Sequence, residues 1–411
     1  MKLIRKIIML TALICLAGCT APTTDQELSD KQESMPEIDA IPTDIQQEEA
    51  AEIDLVPNCS VGESGQNLPA IITMLEEDGG RLALSPDNQT IAYDKKGEDG
   101  YFDLWTMSID GTDNMCLTCD HTQLPTRNVG QPDWHASGKY ILVQVEKQEH
   151  HEGLASGLAA NPGAGIYNDL WILDIETMNA WLVHEVPNGK GHGVLHPHFS
   201  KDGRMLSWAQ SYKDVVLNDP ARIGGSWELR VADVEIDSEG VLYLSNQRII
   251  QPGDDVWYEN HGFSPDGQKL IFTSNFTAEE PFSSADIYTV DLGTDEIIQL
   301  TNEGYNEHGQ FSPDGSKVVW MTTNENIAPD EVVEVTSTDW WIMNADGSEK
   351  ERLTYFNQED HPHFVVWGTV AADFAWLPRG DGFIGYYHTF GLENVLRGEF
   401  REAIVRVDFC K

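Results

Sequence analysis

Short apolar segments alternate with tight polar turns along most of this 411-residue chain, and the alternation repeats. A segment ending in a large apolar residue runs into a Ser-Pro-Asp-Gly-like turn five times. The copies are Leu84-Ser85-Pro86-Asp87-Asn88, Trp134-His135-Ala136-Ser137-Gly138, Phe199-Ser200-Lys201-Asp202-Gly203, Phe263-Ser264-Pro265-Asp266-Gly267 and Phe311-Ser312-Pro313-Asp314-Gly315. A looser sixth copy, Trp376-Leu377-Pro378-Arg379-Gly380-Asp381-Gly382, lies near the end. Each turn leads into an apolar run such as Lys269-Leu270-Ile271-Phe272 or Lys317-Val318-Val319-Trp320. Acidic-apolar-aromatic segments follow at Asp103-Leu104-Trp105, Asp169-Leu170-Trp171, Asp286-Ile287-Tyr288 and Asp339-Trp340-Trp341. Apolar segments bounded by Ser, Pro, Asp and Gly read as strands and turns. Several strands per unit, repeating every 45–65 residues or roughly so, mark a β-propeller. The pattern predicts an all-β fold: a six-bladed propeller of four-stranded blades over residues 57–411. The first apolar run, Leu68 to Leu75, would complete the last blade as its outer strand.

Cysteine placement adds a closure. In that topology Cys59 comes near Cys410, and the spacing predicts a Cys59–Cys410 disulfide. Cys116-Leu117-Thr118-Cys119 is a CxxC pair, for which a local disulfide is favoured over a zinc or redox site. An even number of remaining cysteines fits an oxidising compartment.

The N-terminus is not part of the repeat. Lys2, Arg5 and Lys6 precede an apolar run from Ile7 to Leu16, and Leu16-Ala17-Gly18-Cys19 follows. A basic start, a short apolar stretch and small residues read as a secretory signal over 1–18, too short to span a bilayer. The last four residues look like a bacterial lipobox, which implies lipidation of Cys19. Thr20 after it favours the periplasmic face of the outer membrane. Residues 20–56 hold eleven acids, one lysine and no aromatic residue. Such a stretch buries too little to offset its ordering entropy, so 19–56 is expected to be a disordered acidic tether. The formal charge of −42 makes nucleic acid a poor partner. A monomer is expected.

Counting back from the turns gives the inner positions. Three residues before each apolar anchor stand Arg81, Gln131, His196, Asn260, His308 and Asp373; one residue before stand Ala83, Asp133, His198, Gly262, Gln310 and Ala375. Residues two apart on a strand share a face, so residues of both rows in a blade can share an orientation, and entry positions of inner strands lie beside the channel. With His261 and the His361-Pro362-His363 segment, six histidines are expected around one channel mouth. Histidine is the commonest ligand for borderline metals, so manganese, zinc or calcium is a possible cofactor class. Insertions between second and third strands (Glu146 to Asn168, Gln210 to Ser226, Asn324 to Thr338, His388 to Arg401) would lie on that face. The Gly- and Ala-rich Gly153 to Gly165 reads as a mobile flap.

Phe263 to Gly267, Asp286-Ile287-Tyr288 and Leu300-Thr301, and again Phe311 to Gly315 with Leu353-Thr354, resemble the units of TolB-type propellers. The resemblance implies the fold; TolB's separate N-terminal domain has no counterpart here. A narrower similarity is to oligogalacturonate lyases, carried by Gln358-Glu359-Asp360-His361-Pro362-His363. It implies a manganese-type site of His308, Gln358, His361 and His363, acting as a Lewis acid on a uronate, with Arg81, Arg222 and Arg397 as geometric candidates for the base. No Gly-x-Ser-x-Gly, His-Glu-x-x-His or phosphate-binding Gly loop is present. The reading is an envelope lipoprotein propeller that binds or scaffolds a periplasmic protein. The alternative is a metal-dependent lyase of acidic oligosaccharides.

Overall fold

The computed structural model describes residues 59–61, 66–149, 159–189, 191–213, 224–277, 279–323, 337–365, 368–389 and 401–410. The signal segment, Cys19, the tether, Arg222 and Arg397 lie outside them. Six four-stranded antiparallel sheets follow one another around a ring. Their innermost strands are Leu82–Leu84, Val129–Trp134, Gly193–Phe199, Tyr258–Phe263, Asn306–Phe311 and Thr369–Trp376, in blades one to six. In the first five blades all four strands are consecutive in sequence; the sixth takes its outer strand, Ala70–Glu77, from the start of the chain. That strand pairs antiparallel with Arg401–Phe409, from Ala403↔Glu77 to Phe409↔Ala70. A disulfide joins Cys59 to Cys410 across 351 residues of sequence, and a second joins Cys116 to Cys119.

Two local devices explain why the repeat has its sequence. In the turn, the serine hydroxyl donates to the aspartate two residues on, at 2.6 Å for Ser85–Asp87, Ser264–Asp266 and Ser312–Asp314 and 2.7 Å for Ser200–Asp202. The same serine oxygen accepts the amide five residues on, as Ser264 does from Lys269 at 3.0 Å. The fifth turn position is left-handed, with φ near 70° at Gly203, Gly267 and Gly315, and Asn88 takes it at 61°. Glycine adopts that conformation freely and asparagine tolerates it.

The second device joins the third strand to the end of the fourth. Thr118, Thr301 and Thr354 each donate to an aspartate fifteen residues earlier: Asp103 at 2.8 Å, Asp286 at 2.8 Å and Asp339 at 2.9 Å. Each threonine oxygen also accepts the amide after that aspartate. The Asp-Ile-Tyr and Leu-Thr rhythm is thus one hydrogen-bonded clasp. The apolar residues beside it fill the seams between blades: Trp208 and Ile172 between blades two and three, Trp320 and Ile287 between four and five, Tyr93 and Ile384 between six and one.

The two faces of the ring differ. On one, innermost and second strands meet through the uniform short turns. On the other, the last strand pairs before the long connections are Asn168↔Glu146, Lys213↔Ser226, Ser274↔Asp286, Thr322↔Asp339 and Thr389↔Arg401.

Candidate functional site

The inner strands are not regular. Pairing to the second strand slips at Gly130/Asp133, Leu195/His198, Asn260/Phe263, Glu307/Gln310 and Ala371/Phe374. Within three of these bulges a non-glycine residue has positive φ: Gln131 at 49°, His196 at 48° and His308 at 53°. Bulges re-aim side chains and left-handed non-glycine residues cost free energy, so the repeated device points to a position the fold holds on purpose. In blade four the positive φ falls on Gly262 instead, at 90°, where a Cβ would lie 3.1 Å from His198 Cβ.

The re-aimed side chains meet on the ring axis. His196 of blade three has Nε2 2.6 Å from Glu259 Oε1 of blade four and Nδ1 3.2 Å from Asp373 Oδ1 of blade six. The same Asp373 oxygen is 2.9 Å from His308 Nδ1 of blade five. Gln131 of blade two approaches His196 Nδ1 at 3.3 Å. The rings of His196, His261 and His308 form a near-equilateral triangle with centroid separations of 5.7, 5.3 and 5.4 Å. His261 Nε2 is engaged by Thr273 Oγ1 at 2.7 Å and by the His308 amide at 3.2 Å, so its Nδ1 is the nitrogen left to the cluster. All of these side chains are buried.

Arg81 closes the first-blade side. It donates twice to Asp94 at 2.7 Å, and Asp94 also accepts the Gln131 amide at 2.9 Å. Above it lies the described part of the Gly-rich stretch, residues 159–165. Asn168 donates to the Ala160 carbonyl and Gln144 to the Pro162 carbonyl, at 2.9 and 2.8 Å. Within the described residues this segment is seated on the scaffold, which is a correction to reading all of it as a mobile flap.

Burial opposes charge throughout this cluster, and the carboxylates decide where it survives. Burial lowers His196, but Asp373 and Glu259 outweigh it and push the imidazole up to about 10. Asp373 is held well below the usual carboxylate range by His196 and His308, against burial. Burial first, then the Glu259 charge, pushes Glu307 well up, so it is the protonated partner in the Glu259–Glu307 contact. Burial also drives His261 well down, leaving a neutral imidazole. Buried carboxylates sharing a site split in this way because two like charges in low dielectric repel strongly.

The two rows read from the sequence do not share one orientation. The bulge between His196 and His198 breaks the two-residue alternation. His198 instead lies beside Asp133, with Nδ1 4.0 Å from Oδ1, and Asp133 accepts the Phe199 amide at 2.6 Å. Burial lowers His198 to about 4 and raises Asp133 to about 7. Arg81, Gln131, His196, His261, His308 and Asp373 belong to the axial group.

The histidines of the last link do not join it. His361 stacks on Tyr355 with centroids 4.2 Å apart, and His363 lies 4.6 Å from His361. His363 Nε2 meets the Ala70 carbonyl at 3.0 Å, on the outermost strand of blade six, and Gln358 is exposed. The link packs Phe356 and Val365 into the seam before the sixth inner strand begins at Thr369, which keeps both histidines at the outer edge. The manganese-type set His308, Gln358, His361 and His363 is therefore not assembled: one member is axial and three are peripheral.

Glu259 and Glu307 were missed from the sequence although a signal exists. Both stand four residues before the anchor, in Glu259-Asn260-His261-Gly262-Phe263 and Glu307-His308-Gly309-Gln310-Phe311.

No protein-family model matches the chain, and no curated protein matches its sequence. Solved structures do resemble it. TolB from Acinetobacter baumannii shares 16% identity at TM-score 0.44, over 81% of this chain and 64% of TolB, so the chain spans under two thirds of that protein. An oligogalacturonate lyase in complex with manganese shares 14% identity at TM-score 0.46, over 83% of this chain and 93% of the lyase. An acylaminoacyl peptidase of Pyrococcus horikoshii shares 14% identity at TM-score 0.43, over 79% of this chain and 46% of the peptidase. At such identities the likeness is one of fold alone. The chain is similar in fold to TolB and to the lyase alike.

Proposed function

We propose that this chain is a lipid-anchored cell-envelope propeller that works as a non-catalytic binding module, presenting one face to a periplasmic partner. The observation that carries the reading is the asymmetry of the two faces. The turns on one side are short and nearly identical. The strand pairs Asn168↔Glu146, Lys213↔Ser226, Thr322↔Asp339 and Thr389↔Arg401 each lead, on the other side, into a connection of ten residues or more. Variable loops on a rigid scaffold are the usual place for recognition. The disulfide at Cys59 supports an oxidising compartment and ties the ring where the acidic segment joins it.

The test has two arms on the full chain produced in a Gram-negative host. Metabolic labelling with an alkyne fatty acid should mark the wild type and not Cys19→Ser, and Cys19→Ser should leave the membrane fraction. Crosslinking from cysteines placed in the 324–336 and 390–400 connections should trap one envelope protein repeatedly, while cysteines in the opposite turns should trap none. Label on Cys19→Ser, or equal crosslinking from both faces, would overturn the reading.

A further inference from the structure

The axial cluster explains itself poorly as a set of internal ion pairs. Among the described residues, Asp373 Oδ2, Gln131 Oε1 and Asn260 Oδ1 are buried acceptors without hydrogen-bond partners. All three belong to the inner-strand row that holds His196 and His308. A buried acceptor left unpaired costs about 1–3 kcal/mol, and native proteins carry few. Three together, beside three imidazoles, is what the surroundings of a cation look like.

The donor geometry is specific. One ligand atom from each of His196, Glu259, His261 and His308 lies within 4.8 Å of all the others. A tetrahedral ion with bonds of about 2.0–2.1 Å needs ligand atoms about 3.3 Å apart, so His196 Nε2 and Glu259 Oε1, now 2.6 Å apart, open on loading while the widest pair closes by at most about 1.5 Å. The ligands come from blades three, four and five, on strands anchored at both ends by the turn and sheet hydrogen bonds. Around two of them stands the outer partner that metal ligands need, the Asp373 carboxylate between His196 and His308.

We propose that His196, Glu259, His261 and His308 form a binding site for one divalent transition-metal ion on the propeller axis. Three imidazole nitrogens and one carboxylate oxygen suit zinc, manganese, iron or cobalt. Calcium takes six to eight oxygens and does not match this donor set. The site goes beyond the binding-module reading and does not depend on it: the loops and the lipid anchor stand or fall by their own tests. It also differs from the set implied by the lyase resemblance, sharing only His308 with it.

The experiment uses the full chain in detergent, without a histidine tag, stripped with chelator and loaded with Zn(II) or Co(II). Elemental analysis should find one equivalent of zinc and no retained calcium. Cobalt should give visible d–d bands of a four- or five-coordinate site. His261→Ala and Glu259→Gln should each lose on the order of a hundredfold or more in affinity, since even outer partners cost about 10–100-fold. His361→Ala and His363→Ala should bind as the wild type does. Circular dichroism checks the fold of each variant. If the axial variants fail to fold, X-ray absorption of the zinc-loaded wild type decides, with three imidazoles and one carboxylate oxygen expected. No metal on a folded chain, retention in both axial variants, loss in His361→Ala or His363→Ala, or a different ligand count would overturn the site.

Discussion

His196 Nδ1 lies 3.2 Å from Asp373 Oδ1, although the two residues belong to the third and sixth blades and face each other across the ring. A contact across the diameter exists because both side chains leave bulged strands toward the axis. Asp373 also holds His308, so one carboxylate ties three blades together.

That carboxylate is fully enclosed, and removing it strands charge. Asp373→Ala should destabilise the chelator-treated protein by about 3–5 kcal/mol, the usual result of breaking a buried pair from one side. Urea denaturation followed by tryptophan fluorescence measures it. A loss below about 1 kcal/mol would show that the axis is hydrated and the pair weak.

Gly262 is the blade-four answer to the bulge. Its φ of 90° strains any side chain there, and the 3.1 Å approach of His198 means that an added methyl group must push the histidine aside. Gly262→Ala should cost at least about 1 kcal/mol, from left-handed strain plus the displaced imidazole. Gly100→Ala, at φ 88° but with open space around it, separates the two contributions. Equal melting-temperature drops for both variants would assign the whole effect to the backbone.

The ring is fastened by the Cys59–Cys410 bond. Cys410→Ser, or mild reduction, should lower stability by about 2–5 kcal/mol. Amide exchange should rise first in Ala70–Glu77 and Arg401–Phe409, the pair that would otherwise hold the ring with hydrogen bonds alone. Uniform exchange in all six blades would show that the bond stabilises without acting as a latch.

The clasp at Asp286 makes a pH signature. Burial raises its carboxyl to about 6, despite hydrogen bonds from Thr301, Gln299 and Asn306. A group raised above its unfolded value near 3.8 adds stability at low pH and loses that contribution as pH climbs through the folded value. The stability of the wild type relative to Asp286→Asn should therefore fall between pH 4 and pH 6 and level off above about pH 7. Denaturation curves at pH 4, 5, 6 and 7.5 test this. A difference that stays flat or grows with pH would mean that the carboxylate is ionised throughout.

Much of the architecture was legible because its causes are local. Ser264 and Asp266 need only five residues to build their turn, so the turn is written in the sequence wherever it occurs. The Asp286–Thr301 clasp spans fifteen residues and is still visible as a rhythm. The sixth blade was legible for a different reason: an apolar run before the first repeat and a strand short in the last one leave a single economical pairing. The site was less legible. His196 and His198 look equivalent in an alternating strand, and the slip that separates them depends on the facing strand, Met205–Lys213. Glu259 and Glu307 read as ordinary polar residues until the blades that bury them are in place.

The repeat of turn and clasp was therefore enough to give six blades, their order, and the strand that closes the ring, since each rests on contacts close in sequence or on the one strand left over. Which histidines meet was settled by the folded ring alone. His308 shares a carboxylate with His196, 112 residues earlier, while His361 and His363, much nearer in sequence, sit at the rim against Tyr355 and Ala70. Bulges set by neighbouring strands and packing in the blade seams aim those side chains, and neither cause is local to the residues it positions.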